Sequence, residues 1–342
     1  MTDSAAGGSQ GATFAGPTRG GAALWRRFRR DRAALAALAG LSLIVLACFV
    51  LEPLLEQLLG HGPDEPFPNA VNIYNRQPVG WFSVVHDNGP HAGKTFFLLG
   101  GDGPLGRDEF LRLLAGGRAS LEIAIGATLL AMVIGTFVGC VAGYYRGWTD
   151  VVLSRVTEFA MGFPILFLVI ALGFTISDRL SAITLHGLFV PGALSLIAVI
   201  GIFNWFYIAR IVRSQVLTLR EREFVEAARM AGSSDRRIIV RHLLPHLSGT
   251  LTVYGSLVLA GTIILEAGLS FLNFGVPLPN ASWGNMMSTN WGTVLYPSGK
   301  DPAWVTSSWT SIWPAVAIFS TVLAFALFAE GVRRALDPLE VR

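Results

Sequence analysis

Six apolar runs constrain this chain more than any other feature of its sequence. Each run is about twenty residues long, the length that an α-helix needs to cross the hydrocarbon core of a bilayer. The runs cover residues 33–51, 119–142, 156–176, 188–208, 250–271 and 312–329. Only 14% of the residues are charged, against about 25% in soluble domains. The sequence therefore predicts an all-α integral membrane protein with six transmembrane helices.

The distribution of basic residues predicts the orientation of these helices. Positive charges concentrate on the cytoplasmic side of membrane proteins. If the N-terminus is inside, the segments on the inner side hold most of the 26 Lys and Arg residues. We therefore expect both chain ends in the cytoplasm, and residues 54–118 and 272–311 on the outer side.

The polar stretches divide the chain further. Residues 1–23 are mostly Gly, Ala, Ser and Thr, which is typical of a disordered tail. The first run is too long for a signal peptide and no small-residue cleavage site follows it, so we expect an uncleaved span. The predicted segments are a tail at 1–23, an N-terminal transmembrane segment at 24–60, an extracytoplasmic loop at 61–117, a transmembrane domain at 118–334 and a C-terminal tail at 335–342.

The outer loop is predicted to contain a β-hairpin. The stretches at 81–85 and 94–99 are rich in strand-forming residues and flank a DNGP turn. The same region, NGPHAGKT at 88–95, nearly matches the phosphate-binding loop G-x-x-x-x-G-K-[ST]. However, Asn88 replaces the first glycine, and turn residues follow where the motif requires a helix. We therefore exclude a nucleotide site here.

The residues that could carry out chemistry do not form a catalytic or metal-binding pattern. His242 and His246 are four residues apart but lack a third ligand. Cys48 and Cys140 lie in apolar runs and are interpreted as buried apolar residues. The sequence predicts no enzyme, no cofactor and no metal site. The charges near the end of the outer loop are interpreted as a solvated surface: Asp102, Arg107, Asp108, Glu109 and Arg112.

Two features inside the runs carry specific predictions. Gly135, Gly139 and Gly143 recur every four residues, which allows a second helix to approach this face closely. Glu266 lies about sixteen residues into the fifth run, where an ionisable residue indicates a functional role by default. Two alternatives stay open for Glu266, a pathway or gate residue and a buried structural acid.

The only long charged segment between two apolar runs is 217–245, LTLREREFVEAARMAGSSDRRIIVRHLLP. Its first half is rich in helix formers. Apolar residues at helical spacing are Phe224, Ala228 and Ala231. Gly232 stands where a helix end favours a left-handed residue, and Ser233 or Ser234 is predicted to cap a second helix that ends at Pro245. We therefore predict two short helices joined at a Gly-Ser turn, suited to insertion into a groove on a soluble partner.

This segment resembles the EAA loop of bacterial ABC importer permeases. The match consists of EAA at 226–228, Gly232 six residues after the glutamate, and Leu-Pro at 244–245. Other stretches are similar to the dipeptide/oligopeptide/nickel type of this family: LGRDEFLRLLAGGRASL at 105–121, GLSFLNFGVPLPNASWGNMMS at 268–288 and AEGVRRALDP at 329–338. The chain departs from the family at Gly101, where a Thr is usual, by one extra residue before Leu105, and in the longer outer segment 54–98.

The resemblance, which covers about 24–342, implies a type I ABC importer permease fold with a small hairpin-containing loop after helix 1. It implies that this chain is the second permease of a pair in the bacterial inner membrane. The implied partners are a homologous permease, two ATPase subunits that bind ATP and Mg, and an extracytoplasmic solute-binding protein. The residues implied to couple the chain to the ATPases are Glu223, Glu226, Ala227, Ala228, Gly232, Leu244 and Pro245.

The cargo implied by the resemblance is a di- or oligopeptide. The alternatives are nickel or another small solute carried by the same machinery, and a stand-alone secondary transporter from a different class. The second alternative predicts inverted repeats with broken helices at the membrane midplane. The sequence has no such repeat, and a stand-alone transporter leaves segment 217–245 without a role.

Overall fold

The computed structural model describes residues 21–71, 78–87, 93–167, 170–171, 189–295 and 303–336. Its helices are α1 (Gly21–Phe28), α2 (Arg32–Leu59), α3 (Glu109–Tyr145), α4 (Gly147–Met161), α5 (Ala193–Ile202), α6 (Trp205–Leu219), α7 (Glu223–Met230), α8 (Asp235–Phe271), α9 (Trp283–Leu295) and α10 (Ala303–Leu336). Its strands are β1 (Ser83–Asp87), β2 (Gly93–Phe97), β3 (Gly101–Asp102) and β4 (Arg107–Asp108). The prediction of a mainly helical protein is confirmed.

Four described helices are long and apolar enough to cross a membrane: α2, α3, α8 and the Thr310–Leu336 part of α10. A fifth candidate is the pair formed by α5 and α6, which is bent by 42° at its break. The predicted span at 188–208 overlaps this pair, and the break falls within it. At the break, the Asn204 amide donates a hydrogen bond to the Thr262 hydroxyl of α8 at 3.3 Å. The predicted span at 156–176 lies partly outside the described residues, so the count of six remains a prediction.

The helix end that was predicted at Pro245 is wrong, because α8 runs through this proline as α2 runs through Pro53. Helix α2 continues past Pro53 to Leu59, and α8 continues past Pro245 to Phe271. A proline ring normally clashes with the carbonyl four residues earlier. In both helices that carbonyl belongs to a π-helical turn, Ala47–Leu51 or Ile239–Leu243. The wider winding of a π-turn accommodates the ring, so the helix continues.

The glycine face of α3 packs directly on α6, as predicted. A Cβ atom added to Gly135 or Gly139 would lie 2.6 Å from a backbone carbonyl oxygen of α6, that of Trp205 or Ala209 respectively. At Gly143 the corresponding oxygen, that of Arg213, would lie 2.9 Å away. The two backbones therefore approach as closely as a helix pair can, and α3 and α6 form the most extensive helix contact among the described elements.

The remaining helices assemble around this pair. Helix α10 packs on α2, α8 and α9, while α3 also contacts α5 and α8. Cys48 and Cys140 are buried free thiols, as expected. Many large apolar side chains on the outside of the bundle are exposed, among them Leu43, Phe137 and Phe319 at about two-thirds exposure or more. Such a surface is typical of a protein surrounded by lipid or by a partner membrane protein.

The predicted β-hairpin is confirmed within the described residues. Strands β1 and β2 pair antiparallel, with Val85 opposite Thr95. Of the predicted DNGP turn at 87–90, Asp87 belongs to β1, and 88–90 lie outside the described residues. Because Lys94 and Thr95 belong to a strand, the strand–loop–helix context of a phosphate-binding loop is not formed. Val85 and Phe97 face a small core with Phe67 and Ala70.

The interpretation of the neighbouring charges as a solvated surface is wrong. Their exposure does not exceed 3% in any case: Asp102, Arg107, Asp108, Glu109 and Arg112. Asp102 and Arg107 lie in the paired strands β3 and β4, which precede α3. Asp108 caps α3 by accepting hydrogen bonds from the Phe110 amide at 2.9 Å and the Leu111 amide at 3.2 Å.

Arg112 is the centre of this buried charge network. Its guanidinium pairs with Asp102 at 2.5 Å and with Asp64, and it donates a hydrogen bond to the Pro279 carbonyl at 3.3 Å. The network thus joins the outer segment, α3 and the connection from α8 to α9. Burial raises the pKa of Asp64 against the opposing effect of Arg112, whereas burial and the charge of Arg112 lower the pKa of Arg107.

Helix α3 runs from one end of the bundle to the other. At 37 residues and 1.5 Å per residue, it is about 55 Å long, more than the roughly 40–45 Å of a whole bilayer. We call the end that carries the β-hairpin and the Arg112 network the hairpin end. We call the opposite end, which carries residues 217–245, the loop end.

Replacing Gly139 by Ala should force α3 and α6 apart, because the added methyl group would meet the Ala209 carbonyl. We expect Gly139→Ala to lower the free energy of unfolding by about 1–3 kcal/mol, measured by thermal unfolding of the purified chain. The matched control is Gly261→Ala in α8, where the new Cβ would meet no described atom within 4 Å outside its own stretch of helix. Equal melting temperatures for the two variants would contradict the account of this contact.

Candidate functional site

The first half of segment 217–245 was predicted to form one continuous helix. The structure instead divides it between two helices. Helix α6 ends at Leu219, and α7 begins at Glu223 after a short break. Arg222 has an extended backbone (φ −83°, ψ 147°) at the N-cap of α7. Two acidic residues in the first turn, Glu223 and Glu226, face the positive end of the helix dipole. The segment therefore presents an eight-residue helix that is separate from the membrane-spanning helices.

The predicted Gly-Ser turn after α7 is confirmed. Gly232 has a left-handed backbone with φ 73°. Its amide donates to the Arg229 carbonyl at 2.9 Å, and the Ser233 amide donates to the Ala228 carbonyl at 3.0 Å. This pair of hydrogen bonds is a Schellman motif. Ser234 is the N-cap residue of α8, as predicted, although its side chain makes no capping bond.

One face of α7 is buried against the bundle. Val225 and Ala228 are the buried residues of the helix. They belong to a core cluster that includes Cys140, Tyr144, Ile208, Val212, Val216, Ile238, Leu243 and Leu247. The predicted apolar face included Ala231, which is exposed, and it missed Val225. The buried face of α7 is therefore offset by about one residue from the predicted face. The reason is that the larger valine contributes more apolar area than an alanine.

Further contacts hold the start of α7 and the helices around it. The ring of Phe224 stacks on His246 with centroids 4.7 Å apart and planes 9° from parallel. Arg146 pairs with Glu221, just before α7. The guanidinium of Arg213 in α6 donates a hydrogen bond to Asp150 in α4 at 2.8 Å and holds the pKa of this carboxyl below its usual range.

The opposite face of α7 is open to solvent. Glu223, Glu226 and Ala227 are exposed, and Met230 is 91% exposed. Of the other predicted coupling residues, Gly232 and Pro245 are exposed, Leu244 is half-buried, and Ala228 is buried in the bundle. The structure thus brings Glu223, Glu226, Ala227 and Gly232 together on one accessible surface. The exposed Met230 was missed, because an apolar residue on a polar helix face carries no distinctive sequence signal.

Glu266 is fully buried inside the bundle. The Ser270 hydroxyl donates a hydrogen bond to its carboxyl group at 2.7 Å. The second carboxyl oxygen, Oε2, is buried and has no hydrogen-bond partner among the described residues. Because the carboxyl group is fully enclosed by the protein and bonded to a residue of its own helix, its surroundings favour a structural acid over a residue that faces a water-filled pathway.

Comparison with known proteins identifies the chain by two family models. Residues 135–341 match the model of the binding-protein-dependent transport system inner membrane component. Residues 21–78 match the N-terminal transmembrane domain of oligopeptide transport permease C. The first match includes the whole of segment 217–245, and the second includes the whole of α2.

Curated relatives extend over most of the chain. The oligopeptide transport system permease protein OppC of Haemophilus influenzae is 33% identical over 93% of this chain and 89% of its own length. A putative peptide transport system permease protein of Brucella suis is 35% identical over 87% and 86%. The glutathione transport system permease protein GsiD of Pectobacterium atrosepticum is 32% identical over 92% and 89%.

Removal of the Glu266 carboxyl should destabilise the chain if it is a structural acid. We expect Glu266→Ala to lower the free energy of unfolding by about 1–3 kcal/mol, because the buried Ser270 hydroxyl loses its acceptor. Glu266→Gln retains an acceptor of similar size and should melt close to the unmodified chain. Thermal unfolding of the purified full chain measures both variants. An unchanged melting temperature for Glu266→Ala would instead support the pathway hypothesis.

Proposed function

This chain belongs to the family of binding-protein-dependent transport system inner membrane components, and from this premise we propose how it works within an ATP-driven importer. It is a multi-pass permease of an ABC import system. We infer that it is the second of two similar permease subunits. Its other partners are two ATPase subunits, which bind ATP and Mg, and an extracytoplasmic solute-binding protein that delivers the cargo.

The observation that carries this proposal is the exposed surface of α7. Because the bundle holds the apolar face of α7, the face left for a soluble partner is the exposed one. Glu223, Glu226 and Met230 supply charge and flexible apolar contact on that face. We infer that this surface docks on an ATPase subunit, and that Gly232, Leu244 and Pro245 flank the contact.

The orientation in this proposal follows from charge. The loop end carries a concentration of arginines, which supports a cytoplasmic location: Arg220, Arg222, Arg229, Arg236, Arg237 and Arg241. The hairpin end then faces the solute-binding protein. In this arrangement residues 24–60 form the N-terminal transmembrane segment, 61–117 the extracytoplasmic loop and 118–334 the permease domain.

The proposed mechanism is alternating access. Closure of the ATPases displaces α7, and the bundle changes between inward-facing and outward-facing states as packed helices move as rigid bodies. Energy enters at the loop end and solute enters at the hairpin end, so α3, which reaches both, is a direct connection between them.

The proposed cargo is a peptide. The names of the reported relatives refer to oligopeptide, peptide and glutathione transport, and the matching N-terminal model is that of an oligopeptide permease. These names favour peptides over nickel or another small solute. Purification of the tagged chain with its partners, followed by mass spectrometry of the ligand carried by the solute-binding protein, tests both partners and cargo.

Substitutions on α7 and its turn should uncouple ATP hydrolysis from uptake. Glu226→Lys reverses an exposed charge, and Gly232→Val strains a left-handed backbone at a site with no neighbouring atom within 4 Å. We expect about a tenfold or larger loss of uptake per ATP hydrolysed, because a backbone strain of about 1–3 kcal/mol distorts the docking surface. Membrane insertion should be unchanged.

Gly60→Val is the matched control for the glycine variant. Gly60 has φ 75° and also lacks a neighbour within 4 Å, but it lies at the hairpin end. The Gly60→Val substitution therefore introduces the same backbone strain at a distance from the proposed ATPase contact. Normal uptake per ATP in both Glu226→Lys and Gly232→Val, measured in proteoliposomes, would refute the proposed role of α7.

A further inference from the structure

Tyr144, at the loop end of α3, is in contact with three separate parts of segment 217–245. The guanidinium of Arg220, just after α6, donates a hydrogen bond to the Tyr144 carbonyl. The guanidinium of Arg229 in α7 lies over the Tyr144 ring, 5.3 Å from its centroid. The Tyr144 hydroxyl donates to the Asp235 carboxylate, in the first turn of α8, at 2.8 Å. A single residue of α3 thus holds the segment before, within and after α7.

These contacts lie on both sides of the Gly232 turn and therefore restrict bending at that turn. Arg229 and Asp235 lie on opposite sides of that turn, and the side chain of Tyr144, 5% exposed, contacts both. A displacement of α7 therefore cannot occur by bending at Gly232 without breaking one of the two contacts. An added Cβ at Gly232 would meet no described atom within 4 Å, so contacts with a residue of another helix hold this left-handed turn.

The opposite side of the same helix end is equally constrained. Gly143, next to Tyr144, lies against α6, where an added Cβ would be 2.9 Å from the Arg213 carbonyl. Because no gap separates the two helices here, a displacement of Tyr144 should move α3 and α6 together. Interfaces that are packed this closely move as units.

We propose that Tyr144 is the positioning residue through which a displacement of α7 is transmitted to α3. This inference rests on the proposed function, in which α7 receives that displacement from an ATPase. It adds a defined connection within this chain: Arg229, the Tyr144 ring, the Tyr144 hydroxyl and Asp235 link α7 and the start of α8 to the long helix that runs to the hairpin end.

The test uses conservative substitutions in the complete complex of two permeases, two ATPases and the solute-binding protein, reconstituted in proteoliposomes. Tyr144→Phe removes the hydrogen bond to Asp235 and leaves the ring beneath Arg229. The chain offers a matched control in Tyr145→Phe, since the neighbouring Tyr145 is 52% exposed and loses the same hydroxyl group. The probe is a mixture of radiolabelled alanine di- to pentapeptides.

We expect Tyr144→Phe to lower peptide uptake per ATP hydrolysed by about three- to tenfold, since a hydrogen bond to a charged acceptor is lost. Tyr145→Phe should leave this ratio unchanged. Asp235→Asn retains an acceptor and should behave like the unmodified complex, whereas Asp235→Ala should behave like Tyr144→Phe. The double variant Tyr144→Phe/Asp235→Ala should be no worse than either single variant, because both remove the same bond.

The ratio distinguishes transmission from a purely structural role. A structural role would lower the yield of the complex, and with it ATP hydrolysis and uptake in proportion, with no change in uptake per ATP. An unchanged ratio in Tyr144→Phe, with a functional unmodified complex, would overturn the inference and leave the proposed function intact. If the unmodified complex shows no ATP hydrolysis stimulated by the solute-binding protein, the proposed function fails and the inference fails with it.

Discussion

The close approach of α3 and α6 is the contact on which the described architecture depends. Glycines at four-residue spacing bring the two backbones together, and this fixes where α6 ends and where α7 can begin. Because α7 follows α6 after only a short break, its buried face meets the end of α3. In a membrane, where apolar surface gives helices little reason to associate, such packing is a main source of specificity.

The two ends of the bundle differ in the burial of their charged residues. At the hairpin end, Arg112 is buried and joins acidic residues from distant parts of the chain, so its charges hold the outer segment on α3. At the loop end, Glu223 and Glu226 remain exposed. A buried charge requires a partner within the protein, whereas an exposed charge on a short helix is available to a partner outside it. The distribution of charge thus distinguishes an end whose charges are paired within the chain from an end that leaves acidic residues exposed.

Features that depend on local sequence could be predicted, and those that depend on distant partners could not. The Gly232 turn and the glycine face of α3 follow from a few neighbouring residues. The burial of Arg112 depends on Asp64, 48 residues away, and no local pattern indicates that pairing. Pro245 misleads for a related reason, because the π-turn that accommodates it is an adjustment of the folded helix. Within the candidate site, Val225 and Met230 were missed because only tertiary packing decides which side of a short helix is buried.

The central claim is that the exposed face of α7 is the contact through which an ATPase acts on this chain. Site-specific cross-linking tests it most directly. Met230→Cys places a thiol on that face, and the native Cys48 and Cys140 are buried, so a photoactivatable reagent should label position 230 selectively. In the assembled complex we predict a cross-linked product between this chain and an ATPase subunit, and none from Phe319→Cys in α10. Efficient labelling of position 230 without any product containing the ATPase would contradict the account.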